Sequence, residues 1–387
     1  MWSYSKSFLL REMQPRRRST FLVVLCLGFL LCAFFIAYSA FSEIQHHPTL
    51  KSLHVIFRHG HRTPSSSYPN DPYKNKIWTD GFGALTNKGK AQLYDVGRFL
   101  RQKYGSFLSD QYVVDQVSVL SSSVPRAQMS ALTLLAGLFP PVRDQVWKTD
   151  LDWQPIPVNQ IPRQLDHLIT AKAACKAFDI EKQRSDIELN SQFYEIHKKL
   201  YSLLSTKSGD DIQSIADVEK LFYILSIQEE NGLEMPEWAR RVLPEMKSLA
   251  SLNLASYTWS EKLKMLQGGS MLKEWISHFK SPSYGKLYLY SGHDLTLVNI
   301  LRTVGFDELI LPKYGAAIIV EFHHDKDLDE KQFLKFLYLN SSYSTELHDL
   351  KLKNCDINCP LEDFISLYDK YIPQDFTKEC ENTASKL

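Results

Sequence analysis

An α/β fold, with a mixed, mainly parallel central sheet and a mainly helical inserted lobe, is what this 387-residue sequence predicts. Three observations predict it. Short apolar, β-prone runs at residues 53–57, 117–120 and 286–291 each lead into helical spacing. From about 163 to 280 the pattern is helical almost throughout, and strand signals return at 316–322 and 333–339. Strands interrupted by a helical stretch place an α/β domain at 44–140 and 281–387, with the helical lobe at 141–280.

Residues 1–43 stand outside that fold. Lys6, Arg11, Arg16, Arg17 and Arg18 precede an unbroken apolar run from 21 to 37, the pattern of a signal peptide or a membrane anchor. The length of both parts favours a type II single-span anchor with a cytoplasmic N-terminus. A start at Met13 and the small residues of Ala37-Tyr38-Ser39 favour cleavage instead. Either way, the chain beyond about residue 43 enters the secretory lumen or leaves the cell.

The strand at 53–57 ends toward Gly60, and the Ser-, Pro-, Tyr- and Asn-rich stretch 65–84 reads as a loop over its end. A helix at 85–104 sets Leu93, Val96 and Leu100 on one face. The strand at 117–120 breaks at Ser121-Ser122-Ser123, and a helix over 126–138 stops at Pro140-Pro141. An irregular crossing through Trp153-Gln154-Pro155-Ile156-Pro157 leads to helices at 191–204, 218–229, 236–254 and 260–279. The strand at 286–291 hands over to a helix at 294–304, where Asp294 is placed to cap.

Net charge is +1, which argues for no polyanionic partner such as nucleic acid. No glycine-rich phosphate loop of a nucleotide-binding protein occurs, and no carboxylate cluster suits magnesium, so no cofactor and no metal is expected. Cys26 and Cys32 lie in the apolar run; Cys175, Cys355, Cys359 and Cys380 form an even set for two bridges in an oxidising compartment. Spacing does not choose among the three pairings. Cys355–Cys359 closes a small loop and leaves Cys175–Cys380 to tie the tail to the middle of the chain. A zinc site at Cys355 and Cys359 lacks a second ligand pair. Asn340-Ser341-Ser342 is a glycosylation sequon if that segment is lumenal.

The chemistry is concentrated in Arg58-His59-Gly60-His61-Arg62-Thr63-Pro64. Arginine forks match phosphate oxygens, and a histidine between two arginines is pushed toward the neutral, nucleophilic form. Two further elements end strands in the same way: Ser121-Ser122-Ser123-Val124-Pro125-Arg126 and Tyr290-Ser291-Gly292-His293-Asp294. If the strands are parallel neighbours, His59 and His293 meet at one sheet edge.

The heptad, the later arginine and the His-Asp pair together resemble the histidine acid phosphatases, branch 2 of the histidine phosphatase superfamily. Leu85-Thr86, Gly89, Gln92, Gly97, Leu100-Arg101 and Tyr104 look like that family's first helix, and residues 51–380 share the likeness. It is nearest to the prostatic, lysosomal and insect venom enzymes. The resemblance implies metal-independent hydrolysis of phosphate monoesters, small or phosphoprotein, through a phosphohistidine. It makes His59 the nucleophile and Asp294 the proton donor. Arg58, Arg62, Arg126 and His293 become the phosphate ligands. It also implies an acid optimum, with Asp294 protonated at the outset, and a homodimer as one assembly. His61 departs from the acidic residue common at its position, which bears on the pH response. An inositol phosphate or lysophospholipid specificity, or a non-catalytic secreted protein of the same fold, are the alternatives. Trp153, Trp238 and the 68–78 loop are expected pocket walls.

Overall fold

In the computed structural model, which describes residues 48–281, 285–326 and 330–381, the first apolar run becomes β1 (Leu50–Arg58). Leu53, Val55, Ile56 and Phe57 are fully enclosed, as expected of a strand covered on both faces. β1 lies between a parallel neighbour, β4 (Leu287–Gly292), and an antiparallel one, β5 (Ala317–Asp325). Beyond β4, β2 (Val117–Ser122) and β3 (Asn159–Ile161) continue the parallel half. Beyond β5, β6 (Lys331–Leu339) pairs antiparallel with β5, and both β7 (His348–Asp349) and β8 (Asn358–Pro360) pair with β6. The main order is β3-β2-β4-β1-β5-β6-β7. The sheet is mixed, as the sequence predicts, but not mainly parallel: the pairings are parallel on one side of β1 and antiparallel on the other, where β5 turns back beside β1.

Helices α1 (Asn87–Tyr104) and α2 (Pro125–Leu138) cover one face, where Leu93, Val96, Leu100 and Leu134 meet Val55 and Phe57. The helical stretch supplies α3 (Lys176–Ser208), α4 (Ile215–Glu230) and α5 (Glu237–Ser256), which share a core of their own around Leu189, Leu204, Leu221, Leu225 and Met246. Next come α6 (Glu261–Lys264), a five-residue π-helical turn at Met265–Gly269, and α7 (Ser270–Lys280). With α8 (Asp294–Thr303) and α9 (Leu361–Tyr368), α7 covers the other face, placing Trp275, Leu297 and Phe364 against Ile56 and Ile318. A short α10 (Phe376–Glu381) completes the helices of the described chain. The chain from His47 onward is one compact unit.

Several elements differ from the sequence reading, each for a physical reason. α3 begins fifteen residues before its predicted start at 191, because only Ala177, Ser185 and Leu189 of its first half are buried and no apolar stripe shows. The helix expected over 260–279 is interrupted by the π turn. β3 falls in the stretch read as helical lobe yet pairs with β2; three residues are too few to carry a period.

Cys175 is bonded to Cys380 and Cys355 to Cys359, with Cα atoms 4.6 and 5.4 Å apart. The first closes 205 residues, worth roughly 5 kcal/mol in the chain-entropy account. Asn340 is exposed just after β6. The predicted signal or anchor, with Cys26 and Cys32, lies outside the described residues. Among those residues no helix is long and apolar enough to cross a membrane.

Candidate active site

Register builds the site. Arg58 lies opposite Gly292 across β1 and β4, and Ser121 lies opposite Ser291 across β2 and β4. Three parallel strands therefore finish together, and the residues just past their ends converge at the carboxyl edge. The rings of His59 and His293 stand edge to face with centroids 5.4 Å apart. The turn after β1 runs so close to α1 that a Cβ on Gly60 would lie 2.3 Å from the Gly89 carbonyl oxygen. A Cβ on Gly89 would in turn lie 2.2 Å from the His61 carbonyl oxygen. Backbone packs on backbone there, and neither glycine admits a side chain.

Both ring nitrogens of His59 are occupied, which fixes its tautomer. Nδ1 lies 2.8 Å from the Gly60 carbonyl oxygen, which can only accept, so Nδ1 carries the proton. Arg126 Nε–H donates to Nε2 at 3.0 Å, so Nε2 presents its lone pair. Burial is the largest reason that the His59 pKa lies well below 6.5; Arg126, Arg58, His293 and Arg62 add to it. The ring is a neutral imidazole with Nε2 turned to the arginines.

Arg58 donates through Nη1 to the Pro312 carbonyl at 2.5 Å and pairs through Nη2 with Asp294 Oδ2 at 2.8 Å, its guanidinium 4.3 Å over the Tyr314 ring. Arg62 Nη1 donates to the Thr63 carbonyl and to Ser65 Oγ at 3.0 and 2.8 Å. The Nε atoms of Arg58 and Arg62 are buried without a protein acceptor, as suits a site whose acceptors are ligand oxygens. Ser122 Oγ lies 3.0 Å from His293 Nε2. Burial first and Arg126 next hold the His293 pKa down at about 3, against the opposing pull of Asp294.

Asp294 receives Arg58, the Tyr223 hydroxyl at 2.9 Å and the Leu295 N–H at 2.9 Å. Burial pushes its carboxyl up, but Arg58 above all, with His293 and the Tyr223 hydrogen bond, outweighs burial and leaves it at about 2. Arg58 and the Tyr223 hydroxyl thus favour the carboxylate form of Asp294 over the protonated form that a proton donor needs at the outset. The cap differs from the sequence reading: His293 holds the N-cap position of α8, its N–H donating to Thr296 Oγ1 at 3.0 Å.

His61 is buried beside the cluster. Its N–H donates to Gln92 Oε1 and its Nδ1 lies 2.8 Å from Thr86 Oγ1, the hydroxyl that caps α1. Burial, then Lys88 and Arg62, bring its pKa to about 4, with Glu230 Oε2 3.9 Å from Nε2. Tyr223 and Glu230 come from α4, and Pro312 and Tyr314 from the loop before β5. The sequence reading named none of the four, since nothing local marks them.

Two cavities flank the cluster. One, of about 680 Å³, is lined by Arg58, His61, Lys88, Tyr223, Glu230 and Tyr314 among others. A smaller one, of about 220 Å³, opens beyond Arg126, His293 and Asp294. Neither has Trp153, Trp238 or the 68–78 loop in its wall. Trp238 packs on the helical core, Trp153 on Trp147, and Tyr68 is buried in that same helical core.

Residues 49–339 match the model of the histidine phosphatase superfamily (branch 2). Human prostatic acid phosphatase is 33% identical over 93% of this chain and 94% of its own length. The honeybee venom acid phosphatase Acph-1 is 32% identical over 86% and 88%, and rat lysosomal acid phosphatase 29% over 86% and 80%. The phytase of Citrobacter braakii shares the fold at a TM-score of 0.63 and 16% identity, over 86% of this chain and 99% of that one.

Proposed function

The chain belongs to branch 2 of the histidine phosphatase superfamily and is an acid phosphatase acting on phosphate monoesters, and from that premise we propose that His59 is its nucleophile and Asp294 its proton donor. The observation that carries the assignment is the tautomer-locked His59, neutral and with its Nε2 lone pair toward Arg126. Arg58, Arg62, Arg126 and His293 hold the phosphoryl oxygens, where charge stabilisation and positioning do most of the work.

In the first step Nε2 attacks phosphorus, the P–O bond breaks, and the leaving oxygen takes a proton from Asp294. With Asp294 held as a carboxylate by Arg58, that proton is taken to arrive with the substrate. A phosphate monoester loses its second proton near pH 6, so below about 6 the substrate arrives as a monoanion bearing one proton. Binding spends the Arg58 charge on phosphate and adds negative charge beside Asp294, which raises its pKa until the proton moves to it. In the second step water attacks the phosphohistidine and gives its proton to Asp294; phosphate leaves and the imidazole is restored. The acid optimum thus follows from the protonation state of the substrate more than from that of the free enzyme.

Rapid-quench trapping with a radiolabelled phosphate ester tests this. Alkali-stable label on the peptide bearing His59, absent in His59→Ala, is expected. Label on another residue would overturn the assignment.

We also propose that the catalytic domain is lumenal or extracellular, with Asn340 glycosylated. Two disulfides, the exposed Asn340 of the sequon and the basic-then-apolar N-terminal sequence support it.

A further inference from the structure

The smaller cavity beside the phosphate cluster is lined by three cationic side chains, Arg126, Arg163 and Lys172, and by two carboxyl groups, Glu219 and Asp294, the latter engaged with Arg58. Arg126 and His293 form one side, and Arg163, Lys172, Glu219 and Tyr257 the other. Lys172 Nζ sits 4.5 Å from the Tyr257 ring centroid, and Lys182 shares that ring but is paired with Asp186. Among the described residues neither Arg163 nor Lys172 has a carboxylate at ion-pair distance. Glu219 shares the cavity without an ion pair to either: burial lifts its carboxyl to about 7, against the opposing pulls of the Asn253 Nδ2–H hydrogen bond, Lys182 and Lys172.

Lys172 is also held by a built loop. Asp166 is fully buried, and its carboxylate accepts the N–H groups of Leu168, Ile169 and Thr170 together with the Thr170 hydroxyl. Its carbonyl accepts the Lys172 N–H at 2.9 Å. Gln267, in the π turn, donates to the Ala171 carbonyl, and Ala171 has φ +49°, a left-handed conformation uncommon for a residue with a side chain. Thr296 Oγ1 joins this loop to the catalytic turn, donating to the Ile169 carbonyl at 2.7 Å while accepting the His293 N–H.

We infer that Arg163 and Lys172 form a second anion subsite, which selects phosphate esters whose leaving group carries its own carboxylate or phosphate. The inference rests on the catalytic reading above, for one geometric reason. Asp294 lines the small cavity, and a proton donor must touch the departing oxygen, so the leaving group extends into that cavity. A volume of about 220 Å³ suits a short-chain acid or polyol and is too small for a folded protein segment.

The test compares kcat/KM in mildly acid buffer for esters of similar size: neutral glycerol 3-phosphate, anionic 3-phosphoglycerate and 2,3-bisphosphoglycerate, and cationic phosphoethanolamine. The anionic esters are expected to exceed glycerol 3-phosphate by about tenfold, the effect of one charge-assisted contact. A preference for 3-phosphoglycerate over glycerol 3-phosphate identifies carboxylate as sufficient; one confined to the bisphosphate identifies phosphate. In the double variant Arg163→Gln/Lys172→Met the ratio should collapse to about one, and Lys172→Glu should place phosphoethanolamine above 3-phosphoglycerate. Because each result is a ratio on one preparation, partial loss of folded protein cancels. Equal rates for all esters in the wild type, or ratios untouched by these variants, would overturn the subsite. Hydrolysis that survives His59→Ala would instead sink the catalytic reading, while the ratios still report on the subsite.

Discussion

His54 and His59 stand five residues apart on and just past β1, both buried, and both held well below the ordinary histidine pKa chiefly by burial. They differ in what surrounds the ring. His54 is stacked against Tyr288 at 4.5 Å and His278 at 5.3 Å, with Phe279 edge-on, and neither of its nitrogens has a partner. His59 has a carbonyl on one nitrogen and a guanidinium on the other, and sits between Arg58, which lines one cavity, and Arg126, which lines the other. Burial alone makes a histidine neutral. Orientation of its two nitrogens and access to a ligand make it a nucleophile.

The sharpest way to break that contrast is to exchange the two fates. His59→Ala should lower kcat by on the order of 10⁴ or more, since no other group accepts the phosphoryl. His54→Phe, which keeps the stack, should stay within about twofold in activity. Comparable losses in both would mean that His59 is structural. Next in size is Asp294→Asn. Esters with poor leaving groups should slow by about 10²–10³, and activated aryl phosphates by about tenfold or less. Equal losses on the two classes would reduce Asp294 to a support for Arg58.

Tyr223→Phe is expected to cost about tenfold through one lost hydrogen bond to a charged carboxylate. That bond lowers the Asp294 pKa, so its removal should move the acid limb of the kcat/KM profile to higher pH; an unmoved limb would show that Tyr223 only fills space. The smallest effect concerns stability. The folded His54 pKa lies below its unfolded value of about 6.5, so the unfolded chain binds more protons and stability falls as pH drops through and below 6.5. The Tm of His54→Phe should therefore decline less between neutral and acid pH than that of the wild type. A parallel decline would place the acid sensitivity elsewhere.

The same contrast sorts the legible from the hidden. Arg58, His59, Arg62, Arg126, His293 and Asp294 all stand at the end of an apolar strand or within four residues of it, so a local pattern and a parallel pairing suffice to bring them together. Tyr223 lies within an amphipathic helix among apolar neighbours, and Tyr314 in an irregular loop. Their meeting with Asp294 and Arg58 depends on how α4 and that loop dock, and no short-range signal encodes docking. The polar first half of α3 and the three-residue β3 are hidden for a related reason, since tertiary packing rather than their own periodicity stabilises them. The protonation of Asp294 is not legible because a neighbouring guanidinium 2.8 Å away decides it, and no sequence prints that distance.

The bond between Cys175 and Cys380 orders events during synthesis. Cys175 immediately succeeds the loop that presents Lys172, whereas Cys380 is made only after all eight described strands. The residues at the ends of β1, β2 and β4 can assemble before this clasp exists, as can the Asp166, Gln267 and Thr296 hydrogen bonds of the flanking loop; the clasp adds a covalent tie when the tail folds back. Chains released short of residue 380 would then carry the residues that cleave a phosphate ester but lack one covalent restraint on the loop beside them.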